Sequence, residues 1–127
     1  MKRLLLAFSL ALPIAGVSMH AHHSFAAHYF EEQSISIQGE LVEFEYKSPH
    51  AWIHVMAKNG KGELERFSAE WANPNRLKQQ GVSKDTLKPG DYVIITGSPG
   101  RNPSERLLHL KRIVRPADGW KSGGGRR

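Results

Sequence analysis

Two stretches of this chain concentrate side chains that ligate metals. The first is "AHHSFAAHYF", residues 21–30, with His22, His23 and His28. The second is "HAWIHVM", residues 50–56, with His50, His54 and Met56 around Trp52. Imidazole suits copper, zinc or nickel, and a thioether beside it shifts the preference towards copper(I). A histidine at a free amino terminus is stronger still, because its amine and ring nitrogen close one chelate ring on the same ion. That amine has an ordinary pKa of about 7.7–8.0, so copper(II) displaces its proton near neutral pH. A further imidazole from His23, His28 or His50 would complete the nitrogen-rich planar set that copper(II) prefers.

Whether His22 becomes a terminus depends on what precedes it. Lys2 and Arg3 are followed by an apolar run from Leu4 to Val17 and small residues leading to Ala21, the plan of a secretory signal peptide. The run is shorter than the about 20 residues a spanning helix needs. Cleavage is expected after Ala21, which exposes His22. A cut after His20 would instead begin "AHH", with His23 third, where amine, backbone nitrogens and ring also chelate copper or nickel. The alternative for "HHSFA" is structural: a polar leader that tucks Phe25 and Tyr29 into a groove. The chain is therefore expected to be periplasmic or secreted, with no transmembrane span after cleavage.

Residues 50–57 alternate as a strand does, and alternate side chains take opposite faces. Ala51, Ile53, Val55 and Ala57 form a core face; His50, Trp52, His54 and Met56 face outward. Neighbours on one face are roughly 6.5–7 Å apart, so His50 and His54 stand too far apart to share an ion. His54 with Met56, or His50 with a histidine from elsewhere, are better pairs. Without a metal, the same face offers Trp52 and Met56 to a ligand or partner, since indole is amphipathic. Glu70 and Asp91 read as isolated carboxylates, Glu31-Glu32 as a solvated approach to the first strand, and His109 as an edge-facing or satisfied histidine. No Ser/His/Asp spacing, Gly-rich phosphate loop or paired-His zinc helix occurs. The expectation is a protein without catalysis, a brace-type oxidase being the one enzymatic form the histidines would allow.

The elements that must position these groups are short. "SISIQGELVEFEY" is a first strand that changes its apolar parity just after Gly39, which predicts a bulge or bend there. "HAWIHVMA" is the second strand, Asn59-Gly60 a hairpin signal, and "ELERFSAEW" the third strand. In "NPNRLKQQG", Asn73 can cap a short helix, Pro74 suits its first turn and Gly81 can close it. "DYVIITG" and "ERLLHLKRIVR" are the fourth and fifth strands, the former entered through a Pro-Gly turn. The order β-β-β-α-β-β predicts an all-β fold with one short helix, a five-stranded OB-like Greek-key barrel. Residues 1–21 are read as signal peptide, 22–34 as leader, 35–116 as the barrel domain and 117–127 as a flexible basic tail.

There is no cysteine, so the fold rests on its core and sheet, and any soft-metal site must use His and Met. Of the formal net charge of +6, two charges belong to Lys2 and Arg3 and three to Lys121, Arg126 and Arg127. Export argues against nucleic acid as a partner. Weak contact with anionic surfaces is a better use of the charge.

The chain resembles a family of small exported bacterial proteins of unknown function. The resemblance rests on the start "HHSFA", a "PHxW" strand at Pro49, His50 and Trp52, "NPNRL" at Asn73 to Leu77, and "LKPGD" at Leu87 to Asp91. It implies an exported OB-like domain with no established activity. A shorter resemblance, over His50 to Met56, is to small periplasmic copper carriers of OB-fold type, which use His, Met and Trp on barrel strands. The reading is thus an exported, non-catalytic binding module holding copper, with zinc or no metal as alternatives, through His22, His23, His50 and His54. Its rival is a periplasmic domain that binds a protein or small ligand on the Trp52 and Met56 face.

Overall fold

A computed structural model describes residues 25–123. The elements are β1 (Ile35–Glu45), β2 (Trp52–Lys58), β3 (Leu64–Glu70), α1 (Pro74–Gln79), β4 (Tyr92–Pro99), a 3-10 turn (Pro103–Glu105), β5 (Leu107–Arg115) and β6 (Trp120–Gly123). Antiparallel ladders join β1 to β2, β2 to β3, β1 to β4 and β4 to β5. A parallel pairing of β3 with β5, from Ser68–Leu107 to Glu70–His109, closes the circle. This is the expected OB-like barrel of five strands with one helix between β3 and β4.

Alternation on β2 sends Ile53, Val55 and Ala57 inward to meet Leu41, Val93, Ile95, Leu108 and Ile113, all buried. Trp52, His54 and Met56 take the outer face, half-exposed. The helix forms where its local signals stand: the Asn73 side chain accepts from Arg76 N–H at 2.9 Å, Pro74 begins it, and Gly81 follows in the left-handed region. Leu77 from its inner side is fully buried under one end of the barrel.

Two details differ from the sequence expectation. The bulge in β1 lies between Leu41 and Glu43, not at Gly39. Gly39 serves another purpose: β1 pairs there with β2 and β4 at once, and a Cβ would stand 1.9 Å from the Met56 carbonyl oxygen. The strand turns its inward parity from Leu41 to Phe44 at the bulge, and the Pro-Gly turn clamps it, with Gly90 N–H donating to Leu41 O and Leu41 N–H to Asp91 O.

Ordered structure also runs past Pro116 into the segment read as tail. Residues 116–119 turn, and β6 pairs with Arg112–Arg115. Arg115 explains the extension: its guanidinium bonds Asp91 and Asp118 and lies over the Trp120 ring at 5.3 Å. Residues 124–127 lie outside the described part. The leader docks on the barrel from Phe25 onward, in line with the reading that it tucks Phe25 and Tyr29 into a groove. Residues 25–28 are helical, Tyr29 bridges to Gly100, and Tyr29 is buried.

Candidate functional site

One end of the barrel gathers ionisable and aromatic side chains from four parts of the chain. Ala51 extends the β2–β3 ladder, donating its N–H to Ala72 O and accepting from Trp71 N–H. This pins the preceding His50 beside the end of β3, where its Nδ1 lies 2.8 Å from Glu70 Oε1. The other Glu70 oxygen accepts the Tyr29 hydroxyl at 2.6 Å. Burial, reinforced by the Glu70 carboxylate, drives the Tyr29 phenol well above its ordinary range, so it stays a neutral donor.

His109 arrives from β5 opposite Glu70 and Ser98 in the two ladders. Its Nδ1 lies 2.8 Å from Glu31 Oε1, and Ser98 donates its hydroxyl to Glu31 Oε2 at 3.4 Å. Lys111 holds the same segment by donating to Glu31 O, Gln33 O and Ser34 Oγ. Phe25 lies between the two histidines. Its ring stacks on His109 with centroids 3.9 Å apart and planes 4° apart, and stands 5.3 Å from the His50 ring. Phe25 and Tyr29 share one side of the helical turn because four residues complete about one turn. Arg101 secures that turn through N–H to His28 O and Nε to Ala26 O.

Phe25, His50 and His109 line one open cavity of about 490 Å³, bordered also by Trp71, Arg76 and Lys111. Each histidine presents Nδ1 to a carboxylate. Among the described residues, Nε2 of neither ring has a hydrogen-bond partner. His109 is hydrogen-bonded to its carboxylate through Nδ1, whereas the approach of His50 to Glu70 is a close charged contact without hydrogen-bond alignment.

Histidine 54 is arranged differently. Its Nε2 donates to Glu45 at 2.7 Å and its Nδ1 accepts from the Ser68 hydroxyl at 2.7 Å. Both nitrogens are committed, so the expected pairing of His54 with Met56 on one ion is not assembled. Met56 instead lines a separate groove with Gly39, Leu64 and Tyr92. Trp52 lies parallel to the His54 ring on the outer face, 6.5 Å away at 6°. His28 is exposed, and His22 and His23 lie outside the described residues. Among the described residues no three ligating side chains converge on one point.

Of the carboxylates that read as isolated or solvated, Glu32 is exposed, while Glu70, Glu31 and Asp91 have partners. Glu70 serves His50 and Tyr29, Glu31 serves His109, and Asp91 accepts from Arg115 at 2.9 Å and from Lys88 N–H. Sequence reasoning missed His109 as a companion of His50. The only signal was parity, which put it beside Leu108 and Leu110 on a strand whose neighbours were unknown.

A family model described as a family of unknown function (DUF6152) matches residues 11–108. No curated protein matches the chain significantly. Among solved structures, the chain is similar to the mitochondrial single-stranded DNA-binding protein Rim1 of S. cerevisiae. Identity is 13% and the TM-score 0.46, over 64% of this chain and 91% of that one. It is also similar to a small single-stranded DNA-binding protein from Streptomyces coelicolor, at 16% identity and TM-score 0.44, over 66% of this chain and 91% of that one. The likeness is one of fold. Both of these proteins are single-stranded DNA-binding proteins, and the expectation that excluded nucleic acid as a partner is withdrawn.

Proposed function

We propose, from the premise that the chain belongs to the DUF6152 family, a family of unknown function, that it is an exported binding module without catalysis of its own. Its ligand is a transition metal, copper first, held at the cavity beside Phe25 by His50 and the histidines of a mature amino terminus at His22. One observation carries this reading: the Phe25 ring, three residues after His22, stands 5.3 Å from the His50 ring. Docking of residues 25–30 on the barrel thus supports a route by which His22 and His23 reach His50. The donor chemistry fits, since imidazoles and an amine make the nitrogen set copper(II) favours.

The test is native mass spectrometry of protein exported and matured by a bacterial host, titrated with copper and zinc. A start at His22 with one copper retained against a mild chelator is the expected result. An apo spectrum at all copper concentrations overturns the reading.

A second reading dispenses with metal and uses the outer face of β2 for a protein or small ligand. The observation favouring it is a groove of about 540 Å³ where Met56 meets the exposed Leu64 and Tyr92. Blocking the terminal amine of His22 separates the two readings: it abolishes copper binding in the first and leaves the second untouched.

A further inference from the structure

We infer that the cavity bordered by α1 and β5 binds a small organic carboxylate, with Arg76 holding the anionic group and Trp71, Leu110 and Phe25 facing the apolar body. The inference goes beyond the metal reading and does not rest on it. The helix α1 carries no metal ligand, and the residues before Phe25 take no part.

Three observations carry it. First, charge is divided along the described chain. Residues 25–70 hold four Lys and Arg against eight Asp and Glu, whereas residues 71–123 hold ten against four. The cavity is built mostly from the second part, and its lining includes Arg76 and Lys111 but no carboxylate. Glu31 and Glu70 contact His109 and His50 without lining it. An anion is thus drawn to this part of the surface and meets no like charge on the cavity wall.

Second, neither cation is neutralised by a carboxylate. Arg76 is bonded through its backbone N–H and carbonyl, and among the described residues its guanidinium has no partner. Lys111 donates to Glu31 O, Gln33 O and Ser34 Oγ, all uncharged, so its position is fixed while its charge stays uncompensated. Buried Leu77 anchors α1, and Arg76 and Gln80, four residues apart, fall on one side of it and both line the cavity. A guanidinium grips a carboxylate through two parallel N–H donors, and the Gln80 amide is a further donor.

Third, size and lining suit one small molecule. The volume of about 490 Å³ lies within the roughly 300–1,000 Å³ usual for ligand sites, which pair an apolar wall with a few placed polar groups. A molecule that fills such a space touches groups on opposite walls, so the donors need not converge on one point. The apolar wall disfavours a bare inorganic anion, and the uncompensated arginine disfavours a neutral ligand.

The experiment uses the chain as exported and matured by a bacterial host, in excess chelator so that no metal contributes. Benzoate is the probe. Inorganic phosphate supplies an anion without an apolar body, and benzyl alcohol a body without an anion. Calorimetry reads affinity, and side-chain NMR shifts read the place. Benzoate is expected to bind one-to-one with a Kd of about 1 mM, in keeping with so small a probe, and to shift Arg76 Nε–H and the Trp71 indole N–H. Arg76→Gln is expected to weaken it about 10-fold, as for one lost charge-assisted hydrogen bond, and Arg76→Lys by less. Lys84→Gln removes the same charge from an exposed position outside the cavity and is expected to leave the Kd unchanged. Equal losses in Arg76→Gln and Lys84→Gln would reduce the effect to net charge and overturn the inference. So would phosphate or benzyl alcohol bound as tightly as benzoate, or benzoate shifts that rise without saturating. Since metal is absent throughout, failure here leaves the copper reading intact, and an apo spectrum in the copper titration leaves the benzoate result intact.

Discussion

The rings of Phe25 and His109 lie face to face, 3.9 Å apart at their centroids and 4° from parallel. The contact fastens the leader to β5 and covers one face of the His109 ring. Replacing Phe25 by Ala removes both the stack and half-buried apolar area, with an expected loss of about 1–2 kcal/mol. Hydrogen exchange should quicken at Phe30 N–H, which donates to Pro99 O. Unchanged melting and exchange in Phe25→Ala would show that the leader is held by Tyr29 and Arg101 alone.

Tyr29 and Glu70 set an alkaline limit on stability. The folded phenol is pushed up by burial and by Glu70, while the unfolded one titrates near its ordinary value of about 10. A raised phenol favours folding fully below that value, and the contribution is lost as pH rises above it. Melting temperature is expected to fall above about pH 10, and the Tyr29 share of phenolate absorbance to emerge only with unfolding. Tyr29→Phe should remove this steepness and lower stability at neutral pH, because Glu70 loses a donor. A phenolate signal from Tyr29 while the fold is intact is the outcome that sinks the idea.

What the sequence made legible was local. Alternation over residues 51–57 named the core face of β2, and Asn73, Pro74 and Gly81 marked both ends of α1, because each signal acts within a few residues. What escaped it was long-range. His109 and Glu31 are far apart in sequence and meet only because the leader docks across β4 and β5. β6 has four residues and no usable period; it forms because Arg115 supplies a guanidinium for the Trp120 ring. Gly39 was visible as a special position, but its reason, double pairing of β1 with β2 and β4, requires the closed barrel.

That close approach makes Gly39 the most sensitive small residue in β1. A Cβ there would sit 1.9 Å from the Met56 carbonyl oxygen, a backbone atom that cannot swing aside. Gly39→Ala is expected to cost about 3 kcal/mol or more, at the top of the range for overpacking. Gly60 gives the matched control, since its Cβ would meet nothing within 4 Å. Gly60→Ala should stay within about 0.5 kcal/mol. Equal melting temperatures for the two variants would mean that β1 and β2 separate more easily than their ladder implies.

His54 links stability to acid pH and leaves metal binding untouched. The Glu45 carboxyl is held below its ordinary value of 4.5, first by the hydrogen bond from His54 and then by that from Lys47. A depressed carboxyl adds stability that is complete above the unfolded value and is lost as pH falls through the lower folded one. His54→Ala lets Glu45 titrate closer to 4.5, which should flatten the acid limb of the stability profile. At neutral pH the same change leaves the Ser68 hydroxyl without its acceptor on His54, at a cost of about 1–3 kcal/mol. Carbon-detected NMR titration of Glu45 reads the shift directly, and denaturant melts from pH 3 to 7 read the profile. Copper affinity in the same variant separates the two kinds of histidine in this barrel. If it falls, then the outer face of β2 belongs to the metal site and the assignment of His54 to stability alone is wrong.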